Sequence, residues 1–252
     1  MNQARTRIKI CGLTREQDVD AAVSAGADAV GFVLYEPSAR YVSAQRAAEL
    51  ATRLPPFVIP VLLFVNASDN EIISACARVP DALVQFHGDE TPEICLRIAR
   101  PFMKAARIPI SAETHESPFN TPLDFDLVKY AQDFKTAQAI LLDAHVEGFG
   151  GSGKTFNWSL LPPSVNAHLV LSGGLTPANV ADGILQVWSR GKSLAVDVSS
   201  GVEDQLPNGL HRKGIKNPDL ISQFVAAVRA ADVLVANQLA EKVFEHVRVP
   251  TT

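Results

Sequence analysis

The strongest constraint in this sequence is a repeat of kind rather than of letters: eight short apolar runs, separated by stretches that carry helical signals. The runs are 7–11, 29–34, 58–65, 83–87, 102–106, 139–143, 168–172 and 194–198. Each is mostly apolar without strict alternation, as expected of parallel strands covered on both faces. Helix starts fall between them. Thr14-Arg15-Glu16-Gln17 and Ser68-Asp69-Asn70-Glu71 read as capping boxes. Thr176-Pro177 and Asn217-Pro218 put an N-cap residue before a proline at the first helical position. Apolar residues three and four apart follow, as in Val19, Ala22, Val23 and in Ile221, Val225, Val228. Eight strand–helix units in 252 residues predict an α/β fold, a single (β/α)8 TIM barrel, over a doubly wound open sheet with its five to seven strands. One domain over 1–252 is expected. The fifth unit is the weak one, because 111–137 is mixed and contains Pro118 and Pro122. From about residue 231 a C-terminal extension begins, where Val235, Leu239, Val243 and Val247 predict an added helix.

Composition removes several function classes. Lys and Arg number 23 against 27 Asp and Glu, a net charge of −4, and no basic run exceeds two residues. No nucleic-acid partner is expected from that balance. The longest apolar stretch, 57–65, is broken by Pro60 and too short to span a membrane. No signal-type segment follows Met1, so a cytoplasmic location is expected. The three cysteines, Cys11, Cys76 and Cys95, form no C-x-x-C pair, and the six histidines lack ligand spacing. Neither a disulfide framework nor a metal site is predicted.

One motif points elsewhere. Gly148-Phe149-Gly150-Gly151-Ser152-Gly153-Lys154-Thr155 fits the nucleotide-binding pattern G-x-x-x-x-G-K-[ST] at every position. That pattern cradles phosphates only when a strand leads into the glycines and a helix leaves them. Here Asp143-Ala144-His145-Val146-Glu147 intervenes before the loop, and Pro162-Pro163 stops the chain soon after it. The stretch therefore reads as a cover or an extra phosphate wall after the sixth strand.

In such barrels the chemistry sits at the C-terminal ends of the strands. Those positions turn polar or glycine-rich. The loops after strands 7 and 8, Ser172-Gly173-Gly174 and Ser199-Ser200-Gly201, together suggest a phosphate held by backbone N–H groups. Cys11 ends strand 1 and Asp143 ends strand 6, three places round a ring of eight, so they can face each other across the mouth. A thiol and a carboxyl so placed could move protons on opposite sides of a small substrate. His87 and Gln85 end strand 4, Asp197 ends strand 8, and Arg40 follows strand 2 with a fork of donors suited to a carboxylate. Cys76 and Cys95 fall in helical stretches and read as fillers.

Taken in order, Ile10-Cys11-Gly12-Leu13-Thr14, Pro37-Ser38-Ala39-Arg40-Tyr41-Val42, Gln85-Phe86-His87-Gly88, Leu142-Asp143-Ala144, Gly150–Trp158, Ser172-Gly173-Gly174-Leu175 and Asp197–Glu203 resemble phosphoribosylanthranilate isomerases of tryptophan biosynthesis. The resemblance is collinear from about residue 7 to 228. It implies a (β/α)8 barrel without metal or organic cofactor, acting on a small phosphorylated substrate by an Amadori rearrangement. It implies Asp143 as general acid and Cys11 as general base. Arg40 would hold the anthranilate carboxylate, and Gln85, His87 and Asp197 would line the sugar. Gly153, Gly173, Gly174, Ser199, Ser200 and Gly201 would hold the phosphate. The family has monomers and dimers, so either state is expected. Departures are Phe86 in place of leucine, an apparent insertion at 205–213 and the C-terminal extension.

Two other readings keep the barrel. A related sugar-phosphate isomerase would need either metal-ligand histidines at strand ends or an aspartate where Cys11 stands. A non-catalytic barrel that binds a phosphorylated ligand would not need both Cys11 and Asp143.

Overall fold

The computed structural model describes residues 5–109, 125–145, 157–206 and 210–247, without the side chains of 145 and 242–247. Eight parallel strands close into a barrel: Arg7–Cys11 (β1), Ala29–Val33 (β2), Ile59–Phe64 (β3), Leu83–Phe86 (β4), Phe102–Pro109 (β5), Ala139–His145 (β6), His168–Leu171 (β7) and Ser193–Val198 (β8). Each pairs with its neighbour in sequence, and β8 returns to β1 with Lys9 opposite Asp197. All eight expected runs are strands, and β5 runs three residues longer than expected, to Pro109.

The helices are Glu16–Ala25 (α1), Ala44–Ala51 (α2), Asp69–Arg78 (α3), Pro92–Arg97 (α4), Leu127–Asp133 (α5), Val180–Val187 (α6) and Pro218–Val247 (α7). The main apolar core lies between these helices and the outward faces of the strands, with Ile8, Ile10, Phe32, Phe64 and Phe86 buried in it. A smaller cluster of Val61, Met103, Ala105, Leu141 and Val170 fills the barrel interior. Residues i and i+2 of a strand share a face. Along β4 the inward face therefore passes from Leu83 to Gln85 and His87, and along β6 from Leu141 to Asp143. The barrel is plugged with apolar side chains at mid-height and polar at its C-terminal mouth.

Local signals were partly overridden by distant partners. Ser68 and Glu71 form the expected capping box at α3, and Asn217 accepts hydrogen bonds from Asp219 N and Leu220 N at the start of α7. Thr14 does not cap α1: the helix begins after Arg15, and the Thr14 hydroxyl donates instead to Gly214 O at 2.8 Å. Thr176 does not cap α6, which begins after Asn179; the intervening residues form a turn in which Asn179 Oδ1 accepts from Thr176 N. The extension is helical, but it is not a separate helix. It continues α7, which runs unbroken for 30 residues from Pro218 to Val247, because no glycine or proline interrupts 219–247.

Of the weak fifth unit, α5 is described and 110–124 lies outside the described residues. The glycine-rich stretch Gly148–Thr155, with Gly153, also lies outside them. Its flanks do not: β6 runs on to His145, and beyond the stretch comes only a 3-10 turn, Trp158–Leu160. Among the described residues no α-helix lies between the stretch and β7, where a nucleotide cradle would call for one. After β8 the apparent insertion forms an antiparallel hairpin, Glu203–Gln205 (β9) with His211–Lys216 (β10), part of 205–213 (207–209) being outside the described residues.

Candidate active site

The mouth of the barrel holds a pocket open to solvent. Cys11, Arg40, Gln85, His87, Asp143 and Asp197 all line it, with Gly173, Gly174, Ser199 and Ser200 beside them. Strand ends bring these residues together from positions up to 189 apart in sequence (Cys11 to Ser200) because strand order follows chain order round a closed ring. Gly201 is not among the lining residues. A Cβ there would lie 1.9 Å from the Leu175 carbonyl oxygen, so glycine lets the loop after β8 press against the loop after β7. Gly173 has φ +76°, and a Cβ on it would lie 2.9 Å from Asp143 Oδ1 and 2.5 Å from Ala144 N. That loop can pass beside the carboxyl only without a side chain.

Asp143 is 8% exposed, and its Oδ2 lies 3.0 Å from His87 Nε2. His87 Nδ1 lies 2.9 Å from Gln85 Nε2, while the buried Gln85 Oε1 has no partner among the described residues. The chain of three can hold a proton in two ways. With the amide nitrogen donating to Nδ1, the imidazole carries its proton on Nε2 and donates to a carboxylate. With the amide turned over, Oε1 accepts from Nδ1–H, and Nε2 then accepts from a protonated Asp143. The arrangement can therefore store and release a proton at Asp143.

Cys11, 5% exposed, sits against Val33, Leu63 and Val65 on the opposite wall. Burial pushes its thiol up, and the Lys9 ammonium pulls against that shift. Lys9 is itself buried and donates to Asp197 Oδ1 at 2.8 Å; Asp197 Oδ2 accepts from the Ser172 hydroxyl at 3.2 Å. Burial disfavours the Lys9 ammonium, yet Asp197 and Cys11 together hold its pKa above the ordinary lysine range.

Arg40 is held by a residue of the hairpin. Its Nε and Nη2 donate to the two oxygens of Glu203 at 2.7 and 2.8 Å, which leaves Nη1 for a ligand. Glu203 is fully buried and also accepts from Gly214 N at 2.9 Å and Lys216 Nζ at 3.2 Å. Burial pushes the Glu203 carboxyl up, but Arg40 and Lys216 bring it below the usual range. Lys216 also donates to Ser199 O at 2.9 Å, which ties the Arg40 side of the pocket to the loop after β8. Burial outweighs these partners and lowers its pKa to about 8.

Lys9, Glu203 and Lys216 had no assigned role in the sequence reading. Lys9 could have been found, since a lysine two residues before Cys11 on a buried strand faces the barrel interior. Lys216 lies in a polar hairpin and gives no such signal. Cys76 and Cys95 are buried in α3 and α4, and burial pushes the Cys95 thiol up to about 12, well outside a reactive range. Among the described residues, no three His, Cys, Asp or Glu side chains converge as metal ligands would. No helix among them is long and apolar enough to cross a membrane.

Comparison with known proteins agrees with this geometry. The family model for N-(5′-phosphoribosyl)anthranilate isomerase matches residues 8–227. A protein of that name from Methylibium petroleiphilum is 56% identical over 92% of this chain and 98% of its own. Another from Dechloromonas aromatica is 52% identical over 90% and 98%. The crystal structure of the Thermotoga maritima phosphoribosyl anthranilate isomerase superposes with a TM-score of 0.71 at 39% identity, covering 89% of this chain and 99% of that one. A second structure, at TM-score 0.68, 36% identity and the same coverage, is of such an enzyme in complex with reduced 1-(o-carboxyphenylamino)-1-deoxyribulose 5-phosphate. With the closed barrel and the matched span in agreement, this chain belongs to the N-(5′-phosphoribosyl)anthranilate isomerase family.

Proposed function

We propose that the chain converts N-(5-phosphoribosyl)anthranilate to 1-(2-carboxyphenylamino)-1-deoxyribulose 5-phosphate, with Asp143 as general acid and Cys11 as general base. The observation that carries the assignment is a thiol and a carboxyl on opposing walls of one pocket, each backed by its own hydrogen-bonded network. Asp143 gives its proton to the furanose ring oxygen. The C1′–O bond breaks, and the nitrogen lone pair closes a C1′=N Schiff base. The Cys11 thiolate then takes the C2′ proton; the C–H electrons form C1′=C2′ and the nitrogen recovers its pair. The resulting enolamine tautomerises to the ketone. One proton is given and one is taken, so substrate and product are isomers and no cofactor is consumed.

Arg40 Nη1 receives the anthranilate carboxylate, with the guanidinium fixed from behind by Glu203. Gln85, His87 and Asp197 line the sugar. Gly173, Gly174, Ser199 and Ser200 present the phosphate with N–H groups, and Gly153 belongs to the same subsite through its glycine-rich stretch. Gly201 serves by letting the two phosphate loops meet. One domain covers the chain, and the protein works as a monomer or a homodimer in the cytoplasm.

Freshly prepared phosphoribosylanthranilate loses its fluorescence on rearrangement. The purified protein should accelerate that loss in proportion to its concentration, without added metal. Tight binding of the reduced product with no acceleration would instead make this a binding barrel.

A further inference from the structure

The Cys11 sulfur lies beside a buried ion pair, Lys9 with Asp197, of which only Asp197 has a place against the sugar. A Cβ built on Gly31 would lie 2.7 Å from Cys11 Sγ and 3.0 Å from Lys9 Nζ, so the sulfur and the ammonium share one small space above β2. Lys9 Nζ donates to Asp197 Oδ1 at 2.8 Å while lying close to the sulfur. A buried ion pair adds little stability over an apolar replacement of the same shape. Stability alone therefore gives no reason for a lysine on the inner face of β1.

We propose that Lys9 is a positioning residue that eases ionisation of the Cys11 thiol against the cost of its burial, with Asp197 limiting its effect. The proposal rests on the reading of Cys11 as the general base. The charged groups that act on the sulfur come from three strands: Lys9 of β1, Asp197 of β8 and Lys216 of β10. Lys216 is itself paired with Glu203, which also holds Arg40, so Lys9 and Asp197 bear most directly on the sulfur. Arg40, His87 and Asp143 face the same pocket from the other walls, and Tyr35 packs at its edge. The thiol releases its proton to solvent while Lys9 keeps its own. The thiolate then takes the substrate C2′ proton and becomes a thiol, and the cycle ends when that proton leaves.

The test uses the full chain with Cys76→Ala and Cys95→Ala, so that Cys11 is the one thiol left. Alkylation by iodoacetamide as a function of pH reads the titration of Cys11 directly. Lys9→Met should move that titration up by about 1–2 pH units, as expected for loss of a unit charge at roughly 5 Å in a partly screened site. Asp197→Asn should move it down. Opposite signs from two halves of one ion pair are not what a general loosening of the barrel would give. Either single variant leaves one charge buried alone and can unfold, so the double variant Lys9→Met/Asp197→Asn is measured as well. There the titration should still lie above wild type, because Lys9 acts on the sulfur more strongly than Asp197 does. An unchanged or lowered titration in Lys9→Met, or in the double variant, overturns the proposal. The ascending limb of the kcat/KM–pH profile should follow the same shifts. If alkylation shifts and that limb does not, Lys9 governs the sulfur as proposed, and the assignment of Cys11 as base is what fails.

Discussion

The two walls of the pocket solve opposite problems with different chemistry behind them. Cys11 and Asp143 are buried to a similar depth, but Cys11 is backed by charged groups, Lys9, Asp197 and Lys216. Asp143 is backed by a histidine and an amide, which exchange hydrogen bonds and protons without a permanent cation. A charge behind a thiol favours the anion and makes an acceptor. A titratable, neutral-capable partner behind a carboxyl lets it carry a proton and give it away. On the proposed reading, one wall takes a proton and the other donates one.

The comparison is tested most severely by disabling one wall at a time. Asp143→Asn and Cys11→Ser should each lower kcat by roughly 10²–10⁴, the usual cost of losing a positioned acid or base. The two defects should then separate. A substrate already opened to the Schiff base should restore turnover in Asp143→Asn and leave Cys11→Ser inactive. Equal rescue of both variants would mean that the walls do not divide the reaction in this way.

A smaller effect is expected one residue further back. His87→Ala removes the group that hydrogen-bonds Asp143, and kcat should fall by roughly 10–100-fold with KM for substrate changed much less. His87→Gln can still place an N–H near Asp143 but cannot relay a proton. It should recover KM fully and kcat only in part, with an altered acid limb in the pH profile. If His87→Ala changes KM and leaves kcat intact, His87 contacts the sugar and nothing more.

The contrast between the walls also marks what the sequence could reveal. All eight strands were legible, because parallel strands buried on both faces must be apolar runs, and the runs occurred where the strands are. The mouth was legible because polar residues at the ends of apolar strands have few other reasons to be there. Lys9 went unread because its partner, Asp197, is 188 residues away and nothing local announces the pairing. Thr14 misled for a related reason: a carbonyl 200 residues distant took the hydroxyl that a helix cap would have used. Glu203 belonged to a recognisable motif, but its role as the clamp behind Arg40 depends on a hairpin whose fold the sequence did not suggest.

The smallest effect concerns Lys216, the outermost charge on the Cys11 side. Burial lowers its pKa to about 8 despite its contact with Glu203, whereas an unfolded lysine titrates near 10.4. Between those values the unfolded chain binds a proton that the native protein lacks. Stability contributed by this group must therefore rise as pH increases from about 8 to about 10.4, and the burial cost is felt in full below about 8. Lys216→Met keeps the bulk of the side chain and removes the titration. The urea midpoint of the wild type, measured against that of Lys216→Met, should climb across pH 8–10 by an amount worth ~1–2 kcal/mol, since Glu203 opposes loss of the ammonium. Parallel curves for wild type and Lys216→Met would mean that Lys216 keeps its charge throughout. The Cys11 wall would then hold its positive balance at alkaline pH instead of losing it.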